Sequence, residues 1–167
     1  SQFQNIFSMI DNADIQLGEV EDGKGGKIAL THGMYSVLLH GDDRDLRRRA
    51  FERYYAAYIG LTNTIAATYY GNVKKDVFIS RARGYESCLQ RALDGEDVGV
   101  CVYNNLIEAV RKNLPAMHRY IALRKKILKL DEQHMYDIYA PLVADAELKL
   151  SYEEACDLVV KGLSPLG

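Results

Sequence analysis

One apolar stripe at helical spacing constrains the fold of this chain more than any other feature. Apolar residues follow one another by three or four positions across residues 46–77. The stripe comprises Leu46, Ala50, Tyr54, Ala57, Leu61, Ile65, Tyr69, Val73 and Val77. Because an α-helix has 3.6 residues per turn, this spacing places the whole stripe on one helix face. The sequence therefore predicts one long helix over about 43–83, with Gly60 and Gly71 as points where it can bend.

The other segments are mostly helical as well. Apolar spacing and capping residues predict helices at about 2–10, 32–40, 85–93, 102–113, 115–129 and from 152 onward. The segment ending at Asp43 is predicted to cap the long helix, and Ser151 and Glu154 predict a capping box at the start of the last one. Alternating residues on both sides of a Gly-rich turn predict a β-hairpin over about 13–30. Residues 134–139 alternate before Pro141, which favours a short strand or extended segment. The predicted fold class is mainly α, a multi-helical fragment with one long helix, a β-hairpin near the N-terminus and an extended segment near 134–139.

Composition narrows the class of protein. The chain has 167 residues, of which 48% are apolar and 26% charged, as in an ordinary soluble domain. It has 21 Lys and Arg residues against 23 Asp and Glu residues, and this balance argues against a nucleic-acid partner. No apolar run is long enough to span a membrane. The three cysteines, Cys88, Cys101 and Cys156, are widely spaced, and no two of them form a CxxC pair. Such spacing predicts free thiols and a cytoplasmic location.

The residues carry no recognisable catalytic motif. None of the four histidines has the partner that a zinc-binding HExxH helix requires, and no nucleophile elbow occurs. Acidic pairs stand at predicted helix starts, where capping explains them. The basic runs 47–49 and 124–126 are interpreted as solvated helix faces. The sequence thus predicts neither a catalytic residue nor a metal ligand in this chain.

Seven short strings nevertheless carry a family resemblance. They occur in order along the chain, at residues 30–35, 43–51, 63–68, 71–76, 102–107, 130–137 and 150–155. Typical examples are Leu-Thr-His-Gly-Met-Tyr at 30–35 and Leu-Asp-Glu-Gln-His-Met-Tyr-Asp at 130–137. With these strings, nearly the whole chain resembles oligoendopeptidase F.

The resemblance implies a cytoplasmic zinc metallopeptidase that cleaves short peptides. Such a protein has a mostly helical fold with a deep substrate channel, and an HExxH helix supplies two zinc ligands and a general base. No position of this chain matches that helix. The chain also starts without Met, so we expect a fragment in which 1–30 form the end of an N-terminal region plus the hairpin. Residues 31–167 would be the first helices of the peptidase domain, and zinc would be bound in the parent protein but not by this fragment.

Three residues are predicted to line the substrate channel. They are His134, Tyr136 and Tyr139, all in the segment predicted to be extended. An edge strand can hold a peptide by adding it as a further strand, which is the physical reason for the prediction. For the two tyrosines, packing in the core is the alternative.

A different class of function remains open from the sequence. The chain could instead be a stand-alone helical module that binds or dimerises without enzymatic activity. As a fragment it would in either case expose apolar helix faces, so we expect it to self-associate.

Overall fold

The computed structural model of the chain describes residues 1–143 and 150–164. Within them the chain is mainly helical, with one two-stranded antiparallel hairpin, which confirms the predicted fold class. The α-helices are α1 (Gln2–Met9), α2 (His32–Leu39), α3 (Arg44–Gly60), α4 (Thr62–Ala82), α5 (Cys88–Asp94), α6 (Val100–Ile127) and α7 (Tyr152–Leu163). The remaining elements are a π-helical turn (Ile10–Asp14), β1 (Glu19–Glu21), β2 (Lys27–Ala29) and a 3₁₀ turn (Met135–Asp137).

The predicted hairpin is present with shorter strands than expected. Strand β1 pairs with β2 in a register that sets Val20 opposite Ile28. The turn between them is closed by the Asp22 carboxylate, which accepts hydrogen bonds from the backbone N–H groups of Lys24 at 2.7 Å and Gly26 at 2.9 Å. The alternating residues before β1 fall partly in the π-helical turn, so the hairpin starts later than the pattern indicates.

The predicted long helix divides into α3 and α4. Helix α3 begins after Asp43, whose carboxylate accepts from the N–H groups of Asp45 and Leu46. The break falls at Leu61, which has φ −105° and ψ 13°, directly after the glycine at which bending was expected. Glycine is a poor helix former, which explains why the helix is interrupted there. The second glycine, Gly71, stays inside α4, where the Phe3 ring occupies the space that a Cβ would need.

Helix α6 unites two predicted helices. Residues 102–113 and 115–129 were expected as separate or nearly continuous helices, and the structure has one helix over Val100–Ile127 with Pro115 inside it. The proline removes one backbone donor, and the helix continues through it. The capping box predicted before α7 is confirmed, since Ser151 and Glu154 exchange hydrogen bonds of 2.8 and 3.2 Å.

The expectation of an extended segment over 134–139 is wrong. Residues Met135–Asp137 form a 3₁₀ turn instead. The Asp137 carboxylate accepts from the backbone N–H of His134 at 3.0 Å, which closes the turn locally. An aspartate that caps its own backbone in this way favours a turn over a strand.

The core lies where the hairpin meets α2 and α3. Its buried members are Leu17, Val20, Leu30, Leu38 and Ala50, and Ala50 is fully inaccessible to solvent. The first half of the apolar stripe therefore packs as predicted. The second half, on α4, is only partly covered, because Ile65 and Val77 are half-buried whereas Tyr69 is 71% exposed.

A set of hydrogen bonds holds the π-helical turn against this core. His32 contacts the Tyr54 hydroxyl at 2.9 Å through Nδ1 and the backbone carbonyl of Asp11 at 2.9 Å through Nε2. The Tyr58 hydroxyl donates to the Asp11 carboxylate at 2.6 Å. Burial, together with this bond, raises the pKa of Tyr58. These hydrogen bonds explain how the π-helical turn, which has no strand pairing, is held against α2 and α3.

Candidate functional site

The segment that holds the predicted channel residues is a turn over 131–140, and its anchor is Asp137. The Asp137 side chain is fully buried. Its two carboxylate oxygens accept from Nε and Nη2 of Arg44, both at 3.0 Å, and from Nη2 of Arg47 at 3.2 Å. A buried carboxylate needs such partners to remain charged. Asp137 thereby ties the turn to the first residues of α3.

Arg47 connects the turn to the loop before α3 as well. It is 4% exposed. Its Nε donates to the backbone carbonyl of Tyr136 at 3.0 Å, and its Nη1 donates to the carbonyls of Gly41 at 2.7 Å and Asp42 at 3.0 Å. One guanidinium therefore satisfies three backbone carbonyls and shares in the ion pair with Asp137.

Arg124 holds the turn from the side of α6. Its Nη2 donates to the carbonyls of Asp137 at 3.0 Å and Ala140 at 2.6 Å. The side chain is buried, and its guanidinium lies 5.8 Å from the Tyr120 ring centroid. We call residues 131–140, held by Arg44, Arg47 and Arg124, the arginine-clamped turn.

The clamp sets the charge state of its central carboxylate. Burial by itself raises the pKa of Asp137, but hydrogen bonds from Arg44, from the His134 N–H and from Arg47 outweigh it, so the pKa lies below the usual aspartate value. The same ion pair raises the pKa of Arg44. Both partners are thus charged at neutral pH, and the turn is held by charge-assisted hydrogen bonds.

The three predicted channel residues lie in the arginine-clamped turn but in different surroundings. Tyr136 is 8% exposed, stacks on the His134 ring with centroids 5.0 Å apart, and lies against Arg44 and Phe51. The His134 side chain is 43% exposed. Tyr139 is 54% exposed, with its ring centroid 5.2 Å from that of His40. Tyr136 is therefore a packing residue of the turn, whereas His134 and Tyr139 present polar atoms at its surface.

Sequence reasoning missed the arginines that build this site. The basic runs were expected to be solvated, and this is wrong for Arg47 and Arg124, which are 4% and 5% exposed. A usable signal existed, because Arg47 stands three residues before Ala50 and so shares the face of the apolar stripe. Arg48 and Lys125 do lie on exposed surface, as expected.

The structure also limits the chemistry of the described residues. Among residues 1–143 and 150–164, no three His, Cys, Asp or Glu side chains come together in a group that could hold a metal ion. His40, for example, uses Nδ1 on the carbonyl of Ser36 at 2.8 Å. A small cavity of about 170 Å³ lies beside the clamp, lined in part by Arg44, Arg47 and Pro141. The polar atoms around this cavity can bind and orient a polar group.

None of the helices in residues 1–143 and 150–164 combines the length and the hydropathy required to cross a bilayer.

Comparison with known proteins gives consistent matches. The profile of peptidase family M3 matches residues 37–163. The chain is 46% identical to Oligopeptidase PepF of Bacillus subtilis (strain 168) over 163 residues, which cover 98% of this chain and 24% of that protein. It is 35% identical over its full length to the oligoendopeptidase F homolog of Borreliella burgdorferi, of which it covers 28%.

Solved structures show the same arrangement of elements. The crystal structure of oligoendopeptidase-F from Enterococcus faecium superposes with a TM-score of 0.83 at 33% identity, covering 99% of this chain and 31% of that one. The crystal structure of a putative peptidase from Chlamydophila abortus superposes with a TM-score of 0.81 at 32% identity and covers 28% of that chain. The chain thus spans about a quarter to a third of the length of these relatives.

Proposed function

Because this chain belongs to peptidase family M3, we propose that it is part of a zinc-dependent metalloendopeptidase that hydrolyses short peptides in the cytoplasm. The observation that supports the proposal best is the 46% identity to an oligopeptidase over 98% of the chain. Identity at that level over a whole segment accompanies a shared fold, and two solved peptidase structures share it here. The substrate class follows from the names of these relatives and is a proposal for this protein.

Within that enzyme the chain serves as a non-catalytic wall of the substrate channel. On this proposal the zinc ligands and the general base belong to the rest of the parent protein, and in support the chain spans only 24% of the PepF relative and 31% of the Enterococcus faecium chain. The residues described here do not fit a metal site, so no chemical step is assigned to them. Residues 1–30 form the end of the N-terminal region with the hairpin, and 31–167 form the first helices of the peptidase domain.

The arginine-clamped turn is the part of the wall that meets the peptide. Binding residues often lie on loops that a rigid scaffold positions, and this turn is fixed from α3 and from α6. His134 and Tyr139 have exposed polar atoms that can bond a peptide backbone. Tyr136 positions the His134 ring by stacking on it. Strand addition is not the mode of contact, because the segment is a turn.

The first experiment tests whether the catalytic residues lie in the part of the parent protein outside this chain. We expect the coding frame to continue beyond Gly167 into an HExxH helix. The full-length protein, loaded with zinc, should cleave a quenched-fluorescence peptide, and this chain alone with zinc should stay at the background rate. The measurement is the rate of fluorescence increase with and without a chelator.

Each arm can fail separately. A reading frame without HExxH contradicts the peptidase proposal and favours the stand-alone binding or dimerisation module. Zinc-dependent cleavage by this chain alone contradicts only the assignment of the chemistry to the rest of the protein.

The second experiment tests the role of the turn. In the full-length enzyme we expect His134→Ala and Tyr139→Ala each to raise KM about fivefold, with kcat nearly unchanged. This change corresponds to a loss of about 1 kcal/mol of binding free energy that the peptide has equally in the ground state and in the transition state. Tyr69→Ala, which removes a 71% exposed tyrosine from α4, is the control and should leave KM unchanged. An unaltered KM in both turn variants would show that the turn does not touch substrate.

The isolated chain is also proposed to self-associate. Its described residues expose many large apolar side chains, and helix α6 carries the largest number of them. Exposed patches beyond a few hundred Å² mark association surfaces.

A further inference from the structure

The hydrogen bonds that hold the π-helical turn join four residues, which we call the His32 network. Its four contacts are His32 Nε2 to the Asp11 carbonyl at 2.9 Å, His32 Nδ1 to the Tyr54 hydroxyl at 2.9 Å, the Tyr54 hydroxyl to the Tyr58 hydroxyl at 3.3 Å, and the Tyr58 hydroxyl to the Asp11 carboxylate at 2.6 Å. The carbonyl and the carboxylate of Asp11 can only accept. The hydrogens in all four contacts must therefore come from the imidazole and the two hydroxyls.

With a neutral His32, the network is one hydrogen short. A neutral imidazole has one N–H and each tyrosine has one O–H, which gives three hydrogens for the four contacts. The imidazole hydrogen lies on Nε2, because that nitrogen faces a carbonyl. Burial and the bond to Asp11 raise the pKa of Tyr58, which therefore keeps its hydrogen and donates it to the carboxylate. The Tyr54 hydrogen then fills the contact with Nδ1, and the contact between the two tyrosines, the longest of the four at 3.3 Å, has no hydrogen.

A protonated His32 supplies the missing hydrogen. Its ring carries N–H groups at both nitrogens, so Nδ1 donates to Tyr54 instead of accepting from it. The Tyr54 hydroxyl is then free to donate to Tyr58, which donates to the Asp11 carboxylate as before. Every contact now contains one hydrogen, and the bonds run in one direction from a cation to an anion. Hydrogen bonds to charged groups are stronger than neutral ones, and bonds in series polarise one another.

The ionisable groups that face His32 come from two neighbouring elements. Asp11 faces it from the π-helical turn, and Tyr54 faces it from α3, with Tyr58 one hydrogen bond further away. On α2 itself, Tyr35 stacks on the Tyr54 ring with centroids 3.9 Å apart. Within residues 1–143 and 150–164, no Lys or Arg side chain forms a hydrogen bond with a member of the network. The His32 ring is exposed, so it exchanges protons directly with solvent.

We propose that His32 is a pH-sensitive switch, whose protonation completes the His32 network and strengthens the attachment of the π-helical turn to α2 and α3. The turn leads from α1 to the hairpin. The switch therefore acts on the joint between residues 1–30 and the helices that follow them. A π-helical turn is rare and is often found at functional sites, which agrees with a role for this joint. The inference goes beyond the proposed peptidase function and does not depend on it.

The direction of the pH dependence follows from the hydrogen count. The fourth bond exists only while His32 is protonated. Its contribution to stability is therefore complete at the acid end of the range over which histidine titrates, about pH 5–8, and is lost as the pH rises.

Urea unfolding of this chain and of His32→Gln at about pH 5.5 and about pH 8 tests the switch. We expect the variant to have the larger unfolding equilibrium constant. The ratio of the two constants, variant to wild type, should be about fivefold greater at the lower pH, the effect of one net hydrogen bond. His118→Gln removes an exposed histidine from α6 and is the matched control, whose ratio should be the same at both pH values.

A second background tests whether the tyrosines transmit the effect. Tyr54→Phe keeps the ring and removes the hydroxyl that links His32 to Tyr58. In this background, the ratio for His32→Gln should no longer change with pH, although the Asp11 carboxylate is still present. Circular dichroism at about pH 8 checks that the variants are folded.

Nitrogen-15 NMR of the wild-type ring tests the hydrogen count without any variant. At about pH 8 the ring hydrogen of His32 should be on Nε2, and at about pH 5.5 both nitrogens should carry one. A hydrogen on Nδ1 of the neutral ring, or an effect of His32→Gln that is equal at both pH values, overturns the switch. A pH dependence that persists in the Tyr54→Phe background overturns the proposed path through the tyrosines and shows direct attraction between His32 and Asp11 instead.

Discussion

Asp137→Asn is expected to lower the free energy of unfolding of this chain by about 3–5 kcal/mol, the range measured when one partner of a buried ion pair is removed. The replacement keeps the size of the side chain and removes its charge. Arg47, 4% exposed, then remains buried without its counter-ion. The neutral amide also presents donors toward the guanidinium groups of Arg44 and Arg47, which can only donate. Urea unfolding followed by circular dichroism measures the change.

An exposed aspartate in the same turn supplies the control. Asp131 has a solvent-exposed side chain. Its replacement by Asn should change the free energy of unfolding by less than about 0.5 kcal/mol, the usual range for surface substitutions. If Asp137→Asn were equally neutral, the ion pair would contribute nothing net and the clamp would not be what holds the turn.

The destabilisation caused by Asp137→Asn should also depend on pH, and the direction of that dependence follows from the lowered pKa of Asp137. Because the pKa of Asp137 is lowered in the folded chain, its carboxylate stabilises the fold above the ordinary aspartate pKa of about 3.9. That contribution is lost as the pH falls through the lower pKa of the folded state. The difference in the free energy of unfolding between wild type and variant should therefore have its largest value at pH 7 and decrease below about pH 4.

Local features of the fold were predictable because their partners are close in the chain. The caps at Asp43 and Ser151 bond residues two or three positions away, and both were read correctly from the pattern. The hairpin follows from alternation around a Gly-rich turn. The break at Leu61 also has a local cause, the preceding glycine.

The candidate site was not predictable in the same way, because its bonds join distant residues. Arg44 and Asp137 are 93 positions apart, and Arg47 reaches the carbonyl of Tyr136 across 89 positions. The alternation around Tyr136 resembles a strand, and nothing within a few residues of it shows that buried guanidinium groups will satisfy its carbonyls. Helical spacing placed Arg47 near the buried face but could not identify the carboxylate that compensates its charge.

The two arginines that bind Asp137 should differ in their effect on stability. Arg47→Met keeps an unbranched side chain of similar length and is expected to cost about 2–4 kcal/mol, because the buried carbonyls of Tyr136 and Gly41 lose their donor along with the ion pair. Arg44→Met is expected to cost about 1 kcal/mol, since Arg44 is 43% exposed and water can replace much of its contribution.

The comparison of these two variants distinguishes a clamp from a simple ion pair. If only the charge on Asp137 mattered, Arg44, which binds it with two hydrogen bonds, would be the more costly loss. The greater cost of Arg47→Met would instead show that the backbone carbonyls of the turn depend on a buried donor. Arg48→Met, which removes an exposed side chain paired with Asp45 and Glu52, serves as the matched control and should be nearly neutral in urea unfolding. Amide hydrogen exchange over 131–140 should accelerate markedly in Arg47→Met and only slightly in Arg44→Met, because local opening of the turn follows the loss of its buried bonds. Equal acceleration in both variants would contradict the central role of Arg47.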